Sequence, residues 1–507
     1  MFSDLASAFA AAAATNPDAI ALQDERGLRF TYANLDRRAH RIAAHLNHLA
    51  MSEAEECVGI LCTRSARYCL SILGVILAGY GYVPLSDELP LLRLAAMAEA
   101  AGVKFVIVDD PIHERLAHEM GVIPVSLSEA EKCPEVHRKV ERTTNSLACI
   151  LFTSGSTGVP KGVVVEDGGI ANLAAAPLFP EGYFIMGQVA NPLFDALTFE
   201  IWGSWLNGGN LAVLQTESMP SLGPRFVRLA NGNTTALLLT TSLFGRLCRY
   251  LPRSIRDVDY LYFGGESAVV DSIQRLYNEG YAGRLFNLYG PTEGTTVTTC
   301  WQVELNRLPK GENRLPIGRP LPGVEVAIVN PVEDKDGRRT GELSIGGANL
   351  ARGYLGTATT DDRSRFTIDE GRRSYRTGDL VSRDDDGTLW FNGRLDDQVK
   401  IRGHRIEPSE IASEIIRIGW VDDAVVIPLS TEDSEELKLA AAVVLNGRTD
   451  FNQDDRTVLA QINQHLADRL PNYMRLTETR TFSQIPLTPI GKVDKRLIRD
   501  AFGERHT

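Results

Sequence analysis

A basic surplus, a cysteine framework and a long apolar run are all missing from this 507-residue chain, and each absence removes a class of protein. The formal net charge of -12 counts against a general binder of nucleic acid or of an anionic membrane, so the charge of any ligand must be met locally. The seven cysteines, at positions 57, 62, 69, 133, 149, 248 and 300, are odd in number, scattered and without a C-x-x-C pair. Neither a disulfide framework nor a zinc site is indicated, and a reducing cytoplasm fits best. The apolar stretch from Cys69 to Ala78 is interrupted by Gly74 and closed by Gly79, well short of the ~20 residues a spanning helix needs. The Ala-rich segment Leu5 to Ala14 follows Asp4 and no basic residue, so it is expected to be a helix and not a secretory signal. No fixed-period repeat is present, and no low-complexity tract beyond the N-terminal alanines.

What is present suits a large layered protein. A hydrophobic content of 44% can bury sizeable cores, and the length implies two to four structural units. Strand-like runs (Val58 to Cys62, Val103 to Val108, Leu237 to Thr240) alternate with helical patterns (Leu35 to Leu49, Leu91 to Ala101), which predicts α/β layers with largely parallel sheets. Near residue 395 the texture changes: a hairpin and turn from Gly387 to Gly393 is followed by the polar join Arg394-Leu-Asp-Asp397. Beyond it, two apolar strand candidates, Ala424 to Leu429 and Leu439 to Leu445, and a helix with Val458, Leu459, Ile462 and Leu466 on one face suffice for a compact α+β domain. The expected division is 1–394 and 395–507.

One stretch points to chemistry. Phe152 to Gly162 reads F-T-S-G-S-T-G-V-P-K-G between two strand-like segments. Gly155 and Gly158 let backbone N–H groups approach oxygens, Thr153, Ser154, Ser156 and Thr157 offer hydroxyl donors, and Lys161 supplies a point charge. The set suits a polyphosphate. It is not a Walker loop, because Lys161 is followed by glycine and the glycine spacing differs. On this segment alone a flexible Gly/Ser loop with a solvated lysine stays open.

Ordered segments along nearly the whole chain narrow the choice: Phe30-Thr-Tyr32, Leu77 to Leu85, the phosphate loop, Phe194-Asp195-Ala196, Asn287-Leu-Tyr-Gly-Pro-Thr-Glu293, Gly341-Glu-Leu343 with Ala351-Arg-Gly-Tyr354, Tyr375-Arg-Thr-Gly-Asp379, Gly393 to Glu407, Leu470 to Met474 and Pro489 to Lys495. Together they resemble the adenylate-forming superfamily, and most closely the amino-acid-activating adenylation domains of nonribosomal peptide synthetases. The resemblance implies a large N-terminal domain of three subdomains, two α/β layered sheets plus a distorted β-barrel, and a small mobile α+β C-terminal domain. It implies two half-reactions: an amino-acid carboxylate attacks the α-phosphorus of ATP, then a phosphopantetheine thiol on a carrier protein takes the acyl group.

The resemblance also implies roles, residue by residue. Glu293 would help hold Mg²⁺ and Thr292 a phosphate oxygen, beside Gly290 in the same turn. Tyr289 would stack on adenine, Asn287 would meet its N6 edge, and Gly265 and Glu266 would lie along the base. Asp379 and Arg394 would hold the ribose, and Lys492 would contact the substrate carboxylate and the α-phosphate. Asp396 would be the hinge, with Lys400 and Gly403 facing the site after rotation and Gly403 leaving room for the pantetheine arm. Asp195 would receive the substrate's α-ammonium group. Ala196, Phe199, Leu238 and Tyr262 would line the side-chain pocket together with Gly264, Leu288, Thr296 and Val297. That lining has no ionised group and suits an aliphatic amino acid such as valine, isoleucine, leucine or 2-aminobutyrate, and the Tyr262 hydroxyl is free to meet a polar substituent. One methylene is worth only ~1–3 kcal/mol, so these neighbours are not separated by the lining alone.

Two departures from the family pattern stand out. Asp167 replaces a usual histidine and is assigned no role, and Ile490 replaces an asparagine before Gly491. The chain stops seven residues after Asp500, so a free-standing enzyme serving a carrier in trans is expected. Some relatives work with a small accessory protein of the MbtH-like type, so such a partner is among those implied; nucleic acid and membrane are not. The competing readings are a D-alanine–carrier protein ligase and, from another class, a catalytically silent nucleotide-binding module.

Overall fold

The computed structural model describes residues 4–49, 57–136, 140–154, 160–215, 221–266, 270–309, 314–333, 338–356, 364–369, 371–431, 434–446, 454–487 and 493–503. The chain resolves into two compact units. One comprises Met1–Ser86, Ala98–Leu151 and Gly162–Leu395; the other comprises Asp87–Met97, Phe152–Lys161 and Asp396–Thr507.

The first unit is built on three sheets. The largest has nine strands, in the order Arg319–Pro320, Thr299–Val303, Arg284–Tyr289, Tyr260–Gly264, Thr234–Thr240, Phe184–Gln188, Asn210–Val213, Ile20–Asp24 and Arg29–Thr31. Its six inner strands run parallel, and antiparallel strands close both margins. The second has seven strands, in the order Gly353–Tyr354, Lys161–Glu166, Leu147–Thr153, Gly81–Pro84, Cys57–Leu61, Phe105–Val108 and Ile123–Ser126. Inner strands such as Leu237 to Leu239 are buried and apolar without alternation, as expected for parallel strands covered on both faces. The third is an antiparallel sheet of five strands, in which Leu389–Arg394 and Arg339–Gly347 both pair with Arg372–Arg383.

Helices fill the layers. The Ala-rich segment forms helix Leu5–Thr15, its first turn capped by the Asp4 carboxylate, which accepts from Ser7 N at 2.8 Å. The apolar stretch after Ser65 forms helix Ala66–Ala78, buried along nearly its whole length, and Gly79 at φ +98° ends it. Phe9, Tyr32, Leu73, Trp202, Trp205 and Tyr262 belong to one apolar cluster that reaches from these helices to the nine-stranded sheet. Asp167, unassigned from sequence, is a structural anchor. It is fully buried and takes bonds from Arg142 Nε at 2.8 Å, Arg142 Nη2 at 2.6 Å and Leu5 N at 3.2 Å.

The second unit carries the sheet Val421–Thr431, Ser434–Leu445 and Glu478–Phe482, with helices Pro408–Ile416, Asp455–Ala467 and Lys495–Ala501. Val458, Ile462 and Leu466 are buried in its core, on the helix face expected from their spacing. Among the described residues no helix is long and apolar enough to cross a membrane.

Candidate functional site

The nine-stranded sheet reverses its winding beside Phe184–Gln188: the chain passes first to Asn210–Val213 on one side, then to Thr234–Thr240 on the other. Such a switch opens a crevice beyond the carboxyl ends of the parallel strands, where side chains converge on ligands. Asp195 leaves that end of the strand and stands at the N-terminus of helix Ala196–Trp205, where the helix dipole favours an anion. It is half-buried, and its Oδ2 accepts a hydrogen bond from Thr292 Oγ1 at 2.8 Å. Thr292, assigned to phosphate by resemblance, therefore touches the carboxylate that the resemblance assigns to the substrate's ammonium group.

Thr296 completes the cluster. Its Oγ1 donates to Asp195 O at 3.0 Å and lies 2.8 Å from Thr198 Oγ1, which itself bonds Asp195 O at 2.6 Å. Thr295 and Thr296 both adopt left-handed backbone angles, φ +51° and +69°, which β-branched residues rarely do. Strain of this kind persists only where surrounding contacts fix it, and here it turns Thr296 onto Asp195.

Strand register lines up the residues expected to floor the pocket. Leu238, Tyr262 and Phe286 form one row across three parallel strands, and Thr240, Gly264 and Leu288 form the next row on the same face. Phe199 reaches down from helix Ala196–Trp205 to meet Tyr262 edge-on at 5.2 Å, and Phe286 stacks on Tyr262 at 5.3 Å. Phe286 was not among the expected lining residues, although alternation from Leu288 places it on that face. The structure changes two expectations. Tyr262 OH donates to Leu178 O at 2.6 Å, so its proton is already committed and it is not a donor for a polar substituent. A Cβ on Gly264 would lie 2.4 Å from Leu288 O, so this glycine is required by backbone approach and does not add room for a side chain. Leu238, Leu288 and Val297 are buried, and Ala196 is half-buried.

The same alternation sends Asn287 and Tyr289 to the opposite face of Arg284–Tyr289. Tyr289 OH donates to Asp379 Oδ2, and Asp379 Oδ1 accepts from Arg394 Nη1 at 2.5 Å. Asp379 and Arg394 face each other across the ladder between Arg372–Arg383 and Leu389–Arg394, so register creates this pair. Burial, and next the Asp379 charge, raises the Tyr289 phenol well above its ordinary range, which keeps it a neutral donor. Asn287 Nδ2 donates to Pro316 O at 2.7 Å. Gly290 follows Tyr289 in the same loop, and Gly265 stands at φ +102°. Glu266 accepts from Ser242 Oγ at 2.5 Å.

Glu293 is fully buried, and its Oε1 accepts from Tyr354 OH and, at 3.0 Å, from Tyr375 OH. Both tyrosines lie in segments quoted for the resemblance, yet neither had a role assigned from sequence. Two phenol donors orient the carboxylate, and carboxylate oxygen is the kind of ligand that suits a hard cation such as Mg²⁺.

In the second unit, Ser154 Oγ donates to Arg405 O at 2.8 Å, and Thr153 Oγ1 lies 3.5 Å from Lys161 O. Lys161 is buried, its Nζ 3.9 Å from Glu407 Oε1. Gly155, Ser156, Thr157 and Lys492 lie outside the described residues. Asp396 is the first residue of this unit's long segment, and its Oδ1 accepts from Gln398 N at 3.3 Å. Lys400 lies in strand Val399–Ile401, paired with Arg405 of His404–Ile406. Arg402 and Gly403, at φ +53° and +81°, form the tight turn between those strands, so a local conformational demand already explains Gly403.

Among the described residues of the first unit, an acid stands beside an apolar floor, a ring is tethered to an acid–arginine pair, and a buried glutamate lies under two phenols. The profile of AMP-binding enzymes matches residues 9–355, and the chain belongs to that family. It is 33% identical over 97% of its length to part of Malpibaldin synthetase of Mortierella alpina, and 32% identical over 97% to part of Surfactin synthase subunit 3 of Bacillus subtilis (strain 168). The chain spans 9% of the first protein's length and 38% of the second's. Among solved structures it is similar to PA1221, described as an NRPS protein containing adenylation and PCP domains, with TM-score 0.80 and 26% identity, covering 98% of this chain and 84% of that one. A fused adenylation–PCP di-domain NRPS, NpsA-ThdA from Klebsiella oxytoca, matches in fold at TM-score 0.80 and 24% identity, covering 95% and 86%. The expected likeness to nonribosomal peptide synthetase adenylation domains, and with it the adenylate-forming ligase class and the α/β fold, is borne out.

Proposed function

We propose that the chain joins an aliphatic L-amino acid to AMP and then passes the acyl group to the phosphopantetheine thiol of a carrier protein. The observation that carries this reading is Asp195: a half-buried carboxylate, held by Thr292, beside a floor of apolar side chains with no ionised group. Such a cavity takes a zwitterion by its ammonium group and an uncharged side chain by its apolar surface. The site residues act as the resemblance implies. Tyr289 stacks on the base, with Asn287, Gly265 and Glu266 beside it, while Asp379 and Arg394 take the ribose. Thr153, Ser154, Gly155, Ser156, Thr157 and Lys161 cradle phosphate, and Lys492 adds charge at the α-phosphate. Glu293 would hold Mg²⁺, which would supply positive charge to the phosphates.

In the first half-reaction the amino-acid carboxylate oxygen bonds to the α-phosphorus, and the bond to the bridging oxygen breaks to release pyrophosphate. In the second, thiolate sulfur bonds to the acyl carbon and AMP leaves. The break between the two units after Leu395 supports Asp396 as the hinge, with Lys400 and Gly403 beyond it. ATP–pyrophosphate exchange over a panel of L- and D-amino acids tests the reading. Exchange is expected with valine, isoleucine, leucine or 2-aminobutyrate. Exchange with D-alanine alone identifies a D-alanine ligase, and none with any acid, with or without an MbtH-like protein, identifies a silent nucleotide-binding module.

A further inference from the structure

Glu200 is a carboxylate with no solvent exposure, on the helix that begins immediately after Asp195. Its partners all lie where the chain leaves strand Phe184–Gln188. Oε1 accepts from Val189 N and Ala190 N, each at 3.0 Å, and Oε2 accepts from Gln188 Nε2 at 3.1 Å and Ala190 N at 3.3 Å. Gln188 Nε2 also donates to Ala190 O at 2.7 Å. The next residues are turned by their own bonds: Asn191 Oδ1 accepts from Leu193 N at 3.0 Å, and Asn191 O accepts from Phe194 N at 3.0 Å. The segment from Gln188 to Asp195 is therefore fastened to the helix that follows it.

An apolar side chain at position 200 would pack more cheaply, since burying a carboxylate costs several kcal/mol in general. It would, however, leave the N–H groups of Val189 and Ala190 without this acceptor as the strand ends. The surrounding groups agree with a strained but ionisable carboxylate. Burial drives Glu200 up to about 7, while the two backbone donors, Gln188 and Arg64 pull the other way. Arg64 Nη1 lies 3.4 Å from Gln188 O, and the nearby Cys69 thiol is kept neutral by burial.

We propose that Glu200 is a positioning residue for amino-acid binding: by gripping the strand exit at Val189 and Ala190 it sets where Asp195 meets the substrate's ammonium group. The inference rests on the reading of Asp195 given above. The test is Glu200→Gln, which keeps the shape but turns an amide N–H toward backbone donors, read by exchange kinetics and by hydrogen–deuterium exchange of residues 189–195. The amino-acid KM is expected to rise about tenfold, the order of one charged hydrogen bond, with the ATP KM unchanged and faster hydrogen exchange in 189–195. Glu200→Asp, which keeps the charge on a shorter arm, should recover part of the lost affinity and serves if the glutamine variant does not fold. A purely structural role would lower kcat through loss of active protein with both KM values kept, and that result, or an unshifted amino-acid KM, overturns the proposal. A wild-type chain that activates no amino acid overturns the reading of Asp195 itself, so the two failures are distinguishable.

Discussion

Asp195→Asn tests the proposed recognition of the amino acid at one charged contact. The change is isosteric and leaves an amide able to accept from Thr292, so helix Ala196–Trp205 should start where it does now. What disappears is the negative charge that the proposed function sets against the substrate's ammonium group. A fully buried pair broken on one side costs ~3–5 kcal/mol, and a hydrogen bond to a charged group ~1.5–3 kcal/mol. Asp195 is half-buried, so an intermediate loss of about 2–3 kcal/mol is expected. At ~1.4 kcal/mol per decade this raises the amino-acid KM roughly 30- to 140-fold. The ATP KM should hold, because Tyr289, Asp379 and Arg394 form a separate bonded group. The assay is exchange kinetics at saturating ATP, with unfolding temperature as the control. A folded variant whose KM for the preferred amino acid stays within about threefold of wild type would refute the ammonium assignment, since that is well under 1 kcal/mol.

Three further outcomes follow from particular contacts. Arg142→Ala strands the fully buried Asp167 charge and also frees the Leu147 and Tyr80 carbonyls; urea unfolding should show a loss of about 3–5 kcal/mol. Gly264→Ala drives a Cβ to 2.4 Å from Leu288 O, so backbone must shift, with a stability cost of about 1–3 kcal/mol and a weakened amino-acid KM. For Glu200 the folded-state value of about 7 lies above the ordinary 4.5, so its contribution is fully present below the unfolded value and is lost as pH rises through the folded one. The stability of wild type relative to Glu200→Gln should therefore fall by up to ~3 kcal/mol between pH 4 and 8, and a pH-independent difference would contradict the assignment.

Much of the fold is legible because period and punctuation are local. Leu5–Thr15, Ala66–Ala78 and Asp455–Ala467 follow apolar patterning and caps, and strands Leu147–Thr153 and Lys161–Glu166 stand where apolar runs put them. The candidate site could be singled out where one motif is enough to mark a residue, as with Asp195 or Asp379. It was not legible where function depends on which strands are neighbours. Nothing local reveals that Tyr354 and Tyr375, far from Glu293 in sequence, both donate to it, or that Asp167 meets Arg142 and the start of the first helix. Glu200 reads as one acid in an apolar helix until the exit of Phe184–Gln188 is brought against it. At Gly403 two demands fall on one residue: the role implied by resemblance, and a turn that needs glycine anyway.

The central claim is the making of an aminoacyl adenylate, and trapping it is the most direct measurement. Incubation with ATP, Mg²⁺, hydroxylamine and a panel of acids, followed by mass spectrometry, should yield the hydroxamate of an aliphatic amino acid with AMP and pyrophosphate, and far less from Asp195→Asn. Release of ADP and phosphate, or hydroxamates only from fatty or aryl acids, would contradict it.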